Sequence, residues 1–509
     1  MALSPALYTF LCACFVANGA AIFGYDLGVI AYVLAAPDFI ATINTTNDNY
    51  VGFIVSSLLL GAAVGSVPSS YIADIWGRRV ALTVAGVIFL VGGTVQTATQ
   101  NKEMMMAGRF IGGLAIGQLG VLVPLYQSEI ANPAVRGRLT ATFQFFLGVG
   151  AFVAGWIGYG TSKGSHGTAL EWRLPLAFQM LPALPIVFLT FILPESPRWL
   201  AMKGRDEDAL NTLARLHARG DVNDDLVQGE YQDMKLSIDQ EAGLDKSWSN
   251  IFRDTVNMRK VFYGIVLQFS VQMTGVSAIQ YYANDVYTSV GFAKNALLIN
   301  SINNVVGLLG EATCIAFLDR IGRRPPLIFG NIISGITFAV ATAMAKQFYG
   351  GAAGTRGQGI CFVAMIYIYN FTFSAAIGPL SWVYPVEIMQ NNIRAKATGI
   401  TTTASWLANF MIGQVSPTAF KQIGWKYYLV FTVCSFTNAL FFYLFFHETR
   451  GRTLEEMDGI IRHANPIVPL SKVERISYKD RERELAERAH GAGTGKPSIT
   501  QEEKATYEV

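Results

Sequence analysis

Charge is what this chain has least of. Only 15% of its 509 residues are Asp, Glu, Lys or Arg, where soluble domains carry roughly 25%, and so few charges cannot coat a soluble protein of this length. The two signs nearly cancel: 39 basic against 36 acidic residues leave +3, too small a balance to imply a nucleic-acid partner. The five cysteines, Cys12, Cys14, Cys314, Cys361 and Cys434, all fall in apolar runs. They have neither zinc-type pair spacing nor the pattern of a secreted disulfide framework, so they read as packing residues. A working phosphate loop is missing too. Gly491 to Pro497 has the outline of one, but His490 stands where the leading Gly is needed, Pro497 where Ser or Thr would hold magnesium, and no strand precedes it. No constellation of nucleophile, base and metal marks an enzyme.

Apolar length stands in place of charge. A hydrocarbon core of about 30 Å takes about 20 helical residues to cross, and runs of that order lie roughly at 6–36, 51–72, 80–99, 104–126, 140–161 and 174–194. Six more follow a polar interval, roughly at 258–283, 296–318, 326–346, 360–386, 397–419 and 427–447. The expected fold is an all-α membrane protein with twelve transmembrane helices in two six-helix halves. Residues 1–194 would form the first half, 195–257 a central cytoplasmic loop, 258–450 the second half and 451–509 a polar cytoplasmic tail, in which Lys472–Arg488 is either a solvated helix or unstructured. The first run is expected to stay as a mature helix, since no Lys or Arg precedes it, it exceeds signal length, and it carries Asp26. Arg and Lys concentrate in the 2–3, 4–5, 8–9 and 10–11 loops and are absent from 37–50, which puts both termini in the cytoplasm. Asn44-Thr45-Thr46 then faces outward as a glycosylation sequon, used or unused.

A charged motif occurs twice. Asp74-Ile-Trp-Gly77-Arg78-Arg79 recurs as Asp319-Arg-Ile-Gly322-Arg323-Arg324, and Glu129 with Arg136 recurs as Glu387 with Arg394, at nearly equal offsets. Two tandem halves of like topology are the parallel-repeat plan of many secondary transporters, whose substrate site lies between them. The repeated charges, with Glu129–Arg136 and Glu387–Arg394 as expected pairs, are read either as ion-pair clamps that remake as the halves rock or as positive-inside decoration alone.

Two carboxylates fall inside apolar helices. Asp26 interrupts the first, and a charge near a helix centre costs about 2.5–3.5 kcal/mol on insertion scales, so such a residue faces a cavity or a partner; Arg109 in the fourth helix is the natural counter-charge. Glu311 in the eighth shares a face with Asn304 and Gly307 at helical spacing, and reads as a second titrating group, a sugar contact or a packing acid.

Taken in order, Phe23-Gly-Tyr-Asp26, the two Gly-Arg-Arg motifs, Gly108-Arg109, Pro124-Leu-Tyr126 with Glu129 and Arg136-Gly137, Pro194-Glu195-Ser-Pro-Arg198-Trp199 and Glu448-Thr-Arg450-Gly resemble the sugar porters of the major facilitator superfamily, fungal members in particular, up to about residue 457. That resemblance implies a plasma-membrane sugar transporter, monomeric in the lipid bilayer. It implies that Asp26 and Arg109 stand where proton-coupled members place their proton acceptor and its modulating arginine, while a static buried pair is the alternative reading. Family position makes Phe23, Gln144, Gln268, Gln272, Ser277, Trp382 and Asn409 the candidate sugar contacts, supplying the amides and aromatic face that a sugar asks for; Trp382 as an interface-belt residue and Asn409 as helix-helix glue are the alternatives. Three departures stand out: Val271 beside Gln272 in place of paired Gln, Ser277 in place of Asn, and Ser405-Trp406 in place of Asn-Trp. They imply a less polar pocket open to pentoses, deoxyhexoses or polyols. His447 likewise replaces the usual Pro. The expected function is uptake of a neutral sugar or polyol with the proton as coupling ion and no other cofactor; facilitated uniport and a transporter-like receptor are the alternatives.

Overall fold

A computed structural model describes residues 4–44, 47–132, 136–243, 248–348, 354–389, 391–450, 452, 454–463, 465 and 467–470. Twelve long helices among them carry the architecture: α1 Pro5–Ala35, α2 Asp48–Trp76, α3 Arg78–Thr97, α4 Lys102–Ile130, α5 Arg136–Gly164, α6 Leu170–Ile192, α7 Thr255–Tyr281, α8 Ala296–Ile321, α9 Arg324–Lys346, α10 Arg356–Ile388, α11 Asn391–Gln422 and α12 Lys426–Phe445. Ten are long and apolar enough to span a membrane by length and composition; α8 and α11, rich in Asn, Ser and Thr, complete the set.

Local chemistry sets the ends. Ser4 accepts from the backbone N–H of Leu7, and Pro5 occupies the first position of α1, a start that costs no helix hydrogen bond. Asn47, Asn101 and Asp254 cap α2, α4 and α7 in the same way. Between α2 and α3, and again between α8 and α9, the chain turns at Gly77 (φ 91°) and Gly322 (φ 89°), a backbone region that glycine enters at no steric cost. α2 and α11 run several residues beyond the apolar stretches 51–72 and 397–419, and hydroxyls within them bond back to their own helix, Ser69 to the Ser66 carbonyl and Thr403 to that of Gly399. Two helices are irregular inside: α7 breaks at Met273–Gly275, where Gly275 takes φ 93°, and α10 widens into a π-helical turn at Phe373–Ile377.

Each half has its own apolar core. The first gathers side chains of α1–α6 and borrows Tyr281, Tyr282 and Trp406 from the second; the second gathers α7–α12 and borrows Ala31 and Tyr32. Within the first half α2 and α4 lie backbone to backbone, since a Cβ at Gly61 would stand 2.2 Å from the Phe110 carbonyl oxygen and one at Gly113 2.1 Å from that of Leu58. Small residues at such crossings are how membrane helices gain van der Waals contact without a hydrophobic driving force. At the end bearing Arg78 and Arg323, here the arginine end, short helices Pro197–Met202, Asp206–His217 and Asp225–Gly243 follow α6. His217 ties them to the bundle, its ring nitrogens meeting Glu230 Oε2 at 2.5 Å and the Ile130 carbonyl at 3.2 Å. Helix Leu454–His463 follows α12, and its Asp458 receives the buried Lys260 ammonium at 2.5 Å. At the opposite end the halves are joined across α2 and α11 by Lys421 with Asp48 and by Ser56 Oγ donating to Gln414 at 2.8 Å.

Asn44 closes the short helix Pro37–Ile43 in the left-handed region at φ 44°, while Thr45 and Thr46 of the sequon lie outside the described residues, as do Lys472–Arg488 and the glycine-rich segment 491–497. No disulfide joins any of the five cysteines.

Candidate functional site

The packing of α1 against α4 and α5 removes Asp26 from solvent altogether. Its Oδ1 lies 3.1 Å from Arg109 Nη1, with side-chain exposures of 0% and 1%. The pair is short of hydrogen bonds: neither Asp26 oxygen has a well-formed donor, and Arg109 makes one contact at 3.5 Å to the Val55 carbonyl. Two charges desolvated together gain little from so few bonds, so this contact is a weak source of stability. Tyr281 of α7 reaches toward the pair from the other half, within electrostatic range of Arg109 and Asp26, while its hydroxyl donates to Asn409 Oδ1 of α11 at 3.1 Å.

Between the halves lies a cavity bounded by α5, α7, α8 and α10. Asn304, Gly307 and Glu311, which the sequence places on one face of α8, all line it. Glu311 Oε1 accepts from Gln144 Nε2 at 3.0 Å, a contact across the two halves. Of the seven candidate sugar contacts, only Gln144 lines this cavity. The others are engaged outside its lining: Gln268 Nε2 donates to the Ser381 carbonyl at 2.9 Å, Ser277 Oγ to Gln272 Oε1 at 2.7 Å, and Asn409 holds Tyr281. Phe23 meets Trp406 edge to face at 5.1 Å, and Trp382 meets Phe143 at 5.7 Å; both contacts cross the interface between halves, with ring separations typical of favourable aromatic pairs. The Trp406 indole N–H is buried without a partner. Gln280, Asn303 and Asn370, which also line the cavity, are not singled out by sequence; no motif marks them, because their position depends on the break in α7 and on which helices become neighbours.

The duplicated charges assemble twice. Arg78 donates from Nε and Nη2 to the two Glu129 oxygens, each at 2.8 Å, and from Nη1 to Asp74 Oδ1 at 3.2 Å. Glu195 accepts the backbone N–H groups of Arg78 and Arg79 at 3.0 and 3.4 Å. In the second half Arg323 forks onto Glu387 at 2.9 to 3.2 Å, and Glu448 accepts the backbone N–H groups of Arg323 and Arg324 at 2.9 and 3.1 Å. These side-chain carboxylates at helix N-termini satisfy donors that otherwise have no partner. Burial pushes the Glu195 carboxyl up from 4.5, against the pull of the Ser196, Arg79 and Arg78 backbone N–H groups and the Arg78 charge.

The described partners of Glu129 and Glu387 are Arg78 and Arg323, and the expected pairing of Glu129 with Arg136 falls outside the described residues. The chain leaves the helix at Ala131 and at Met389, and Glu129 and Glu387 there meet the guanidinium at the start of a neighbouring helix, that of Arg78 and that of Arg323. Arg394 donates to the Met389 carbonyl at 3.4 Å, and the side chains of Arg136 and Asp319 lie outside the described residues. Arg198 lies half-buried in the short helix Pro197–Met202, and Arg450 Nη1 reaches the Arg320 carbonyl at 2.5 Å. Among the described residues both clusters stay within one half each.

The comparisons agree with this geometry. Residues 11–460 match the family described as "Sugar (and other) transporter". The MFS glucose transporter mfs1 of Aspergillus flavus is 30% identical over 506 residues, covering 94% of each chain, and the arabinose-proton symporter of Bacillus subtilis is 29% identical over 458, covering 89% of this chain and 95% of that one. The solved structure of the proton:xylose symporter XylE bound to 6-bromo-6-deoxy-D-glucose shares 28% identity at a TM-score of 0.76, covering 89% of this chain and 99% of that one. Twelve helices in two like halves, each closed at the arginine end by the same forked clamp, together with these matches, place the chain in the sugar transporter family of the major facilitator superfamily.

Proposed function

We propose that this chain imports a neutral sugar or polyol by alternating access, in symport with a proton and as a monomer. In this reading the arginine end faces the cytoplasm of a plasma membrane, and the proton is the coupling ion with no other cofactor. What supports coupling above all is the Asp26–Arg109 contact, a fully buried carboxylate and guanidinium 3.1 Å apart. Deprotonated, Asp26 holds Arg109; protonated, it releases the guanidinium and frees α1 and α4 to shift as substrate binds. Tyr281 and Asn409 carry that event toward the other half. One sequence relative and one solved structure whose names specify proton symport resemble this chain, and the Val271 and Ser277 positions favour a substrate presenting fewer hydroxyls to α7 than glucose does.

The test is uptake into proteoliposomes with and without an inward proton gradient. Asp26→Asn, whose neutral amide mimics the protonated carboxyl, is expected to abolish uphill accumulation while counterflow exchange continues. Accumulation by the mutant at the wild-type level would refute proton coupling through Asp26 and leave uniport as the reading.

A further inference from the structure

In the cavity between the halves several side-chain amide donors are committed to protein acceptors, while three buried acceptors have no partner. Gln144 Nε2 is taken by Glu311 Oε1 at 3.0 Å, Asn304 Nδ2 by the Ala151 carbonyl at 3.1 Å, and Asn370 Nδ2 by the Asn303 carbonyl at 2.8 Å. Gln144 Oε1, Asn303 Oδ1 and Glu311 Oε2 are buried and have no hydrogen-bond partner. With Glu311 ionised, the amide orientation of Gln144 follows from its neighbour, since a carboxylate only accepts and so faces the NH2 group. Glu311 is held in place by shape as well: a Cβ at Gly148 would stand 1.7 Å from its Oε2, so α5 admits the carboxyl only where it has no side chain. Glu311 also differs from Asp26 in its company. Asp26 has Arg109 at 3.1 Å, whereas among the described residues the groups acting on Glu311 are the Gln144 amide and the Gly148 backbone.

A buried acceptor left unpaired costs free energy, and a ligand that supplies donors removes that cost. Hydrogen bonds from hydroxyls to a carboxylate are short and strong relative to neutral ones. Resting on the transport reading above, we propose that Glu311 is a specificity-determining residue. Its carboxylate, flanked by Gln144 Oε1 and Asn303 Oδ1, receives hydrogen bonds from adjacent hydroxyls of a polyhydroxylated substrate, and it rejects the same molecule when one of those hydroxyls becomes a group that can only accept. The α5–α8 side of the cavity thus requires donors.

The experiment uses the full chain in proteoliposomes. A panel of hexoses, pentoses, deoxyhexoses and polyols first identifies a transported compound, and its singly deoxygenated and deoxyfluorinated derivatives are then used as competitors. At one or two adjacent positions the wild type should bind the fluoro derivative at least about tenfold more weakly than the parent, the scale of one hydrogen bond to a charged group. Glu311→Gln offers a donor in the same shape and should reduce that discrimination to roughly threefold or less at those positions only; Glu311→Asp, which keeps the chemistry and shortens the reach, should weaken the parent yet retain the preference for hydroxyl over fluorine. Position-specific discrimination that is absent in the wild type, or unchanged in Glu311→Gln, overturns the assignment of Glu311. A wild type that transports no member of the panel overturns the transport reading itself.

Discussion

The two arginine clusters are the same device built at two depths. Each has an arginine forking onto a glutamate of the helix four elements into its half, a second glutamate closing onto two backbone N–H groups, and a second arginine lying over an aromatic ring at 5.4 Å, Arg79 over Phe191 and Arg324 over Tyr443. A tyrosine hydroxyl completes each, Tyr126 donating to the Pro194 carbonyl at 2.7 Å and Tyr384 to that of His447 at 3.2 Å. Their surroundings differ. Arg78 and Glu129 are 4% and 5% exposed, Arg323 and Glu387 10% and 28%. The first is roofed by the short helices after α6, with the Trp199 indole donating to the Asp74 carbonyl at 3.0 Å. The second is more open to water. Wiring repeated through duplication therefore need not carry repeated energetics, since a buried pair and a half-wet pair of equal geometry respond differently to losing a partner.

Removing one arginine from each cluster probes that difference most strongly. Arg78→Ala leaves Glu129 charged and buried and should destabilise the solubilised protein by about 3–5 kcal/mol, whereas Arg323→Ala should cost on the order of 1–2 kcal/mol because water can reach Glu387. Thermal unfolding in detergent reads both, and equal losses would show that burial is not what separates the clusters.

Acid separates them next. Burial, with the Arg324, Arg452 and Arg259 charges behind it, holds the His447 imidazole down at about 4 from 6.5, while its counterpart Pro194 has nothing to titrate. Because the folded state favours the neutral ring, its contribution is complete above about 6.5 and is lost as pH falls from there through about 4. At pH 5 the loss is on the order of 2 kcal/mol. His447→Gln should accordingly flatten the fall in melting temperature between pH 7 and pH 5; an unchanged slope would mean that another group governs it.

The tyrosines give the smallest effect. Tyr126→Phe should cost about 1 kcal/mol and Tyr384→Phe somewhat less, in line with the shorter and longer hydrogen bonds they remove. A larger loss for Tyr384→Phe would reverse the order of the two clusters.

Much of this was legible in the chain itself. Apolar runs give the twelve helices, the repeated Gly-Arg-Arg gives the halves, and Asp26 with Arg109 emerges because a membrane helix tolerates charge only with a partner. The pairings were harder to read. Arg78 holds Glu129 across 51 positions of sequence, a partner chosen by which helix starts are neighbours in space. Gln144 and Glu311 belong to different halves, so no local periodicity could join them. The candidate sugar contacts of α7 and α11 bond to protein partners outside the cavity lining, Ser277 to Gln272, Asn409 to Tyr281 and Gln268 to the Ser381 carbonyl, a distinction that residue type alone does not make.

The π-helical turn at Phe373–Ile377 sets the phase of everything after it in α10. An α-helix advances about 100° per residue, and a turn closed by i→i+5 bonds inserts one residue into that count. Trp382 facing Phe143 and Glu387 facing Arg323 both depend on the insertion, though one belongs to the interface between halves and the other to the clamp at the arginine end. Were the turn to close up, 378–388 would rotate as a unit and both contacts would break together. One extra residue thus works as a gear tooth, keeping the middle of the molecule in step with its rim.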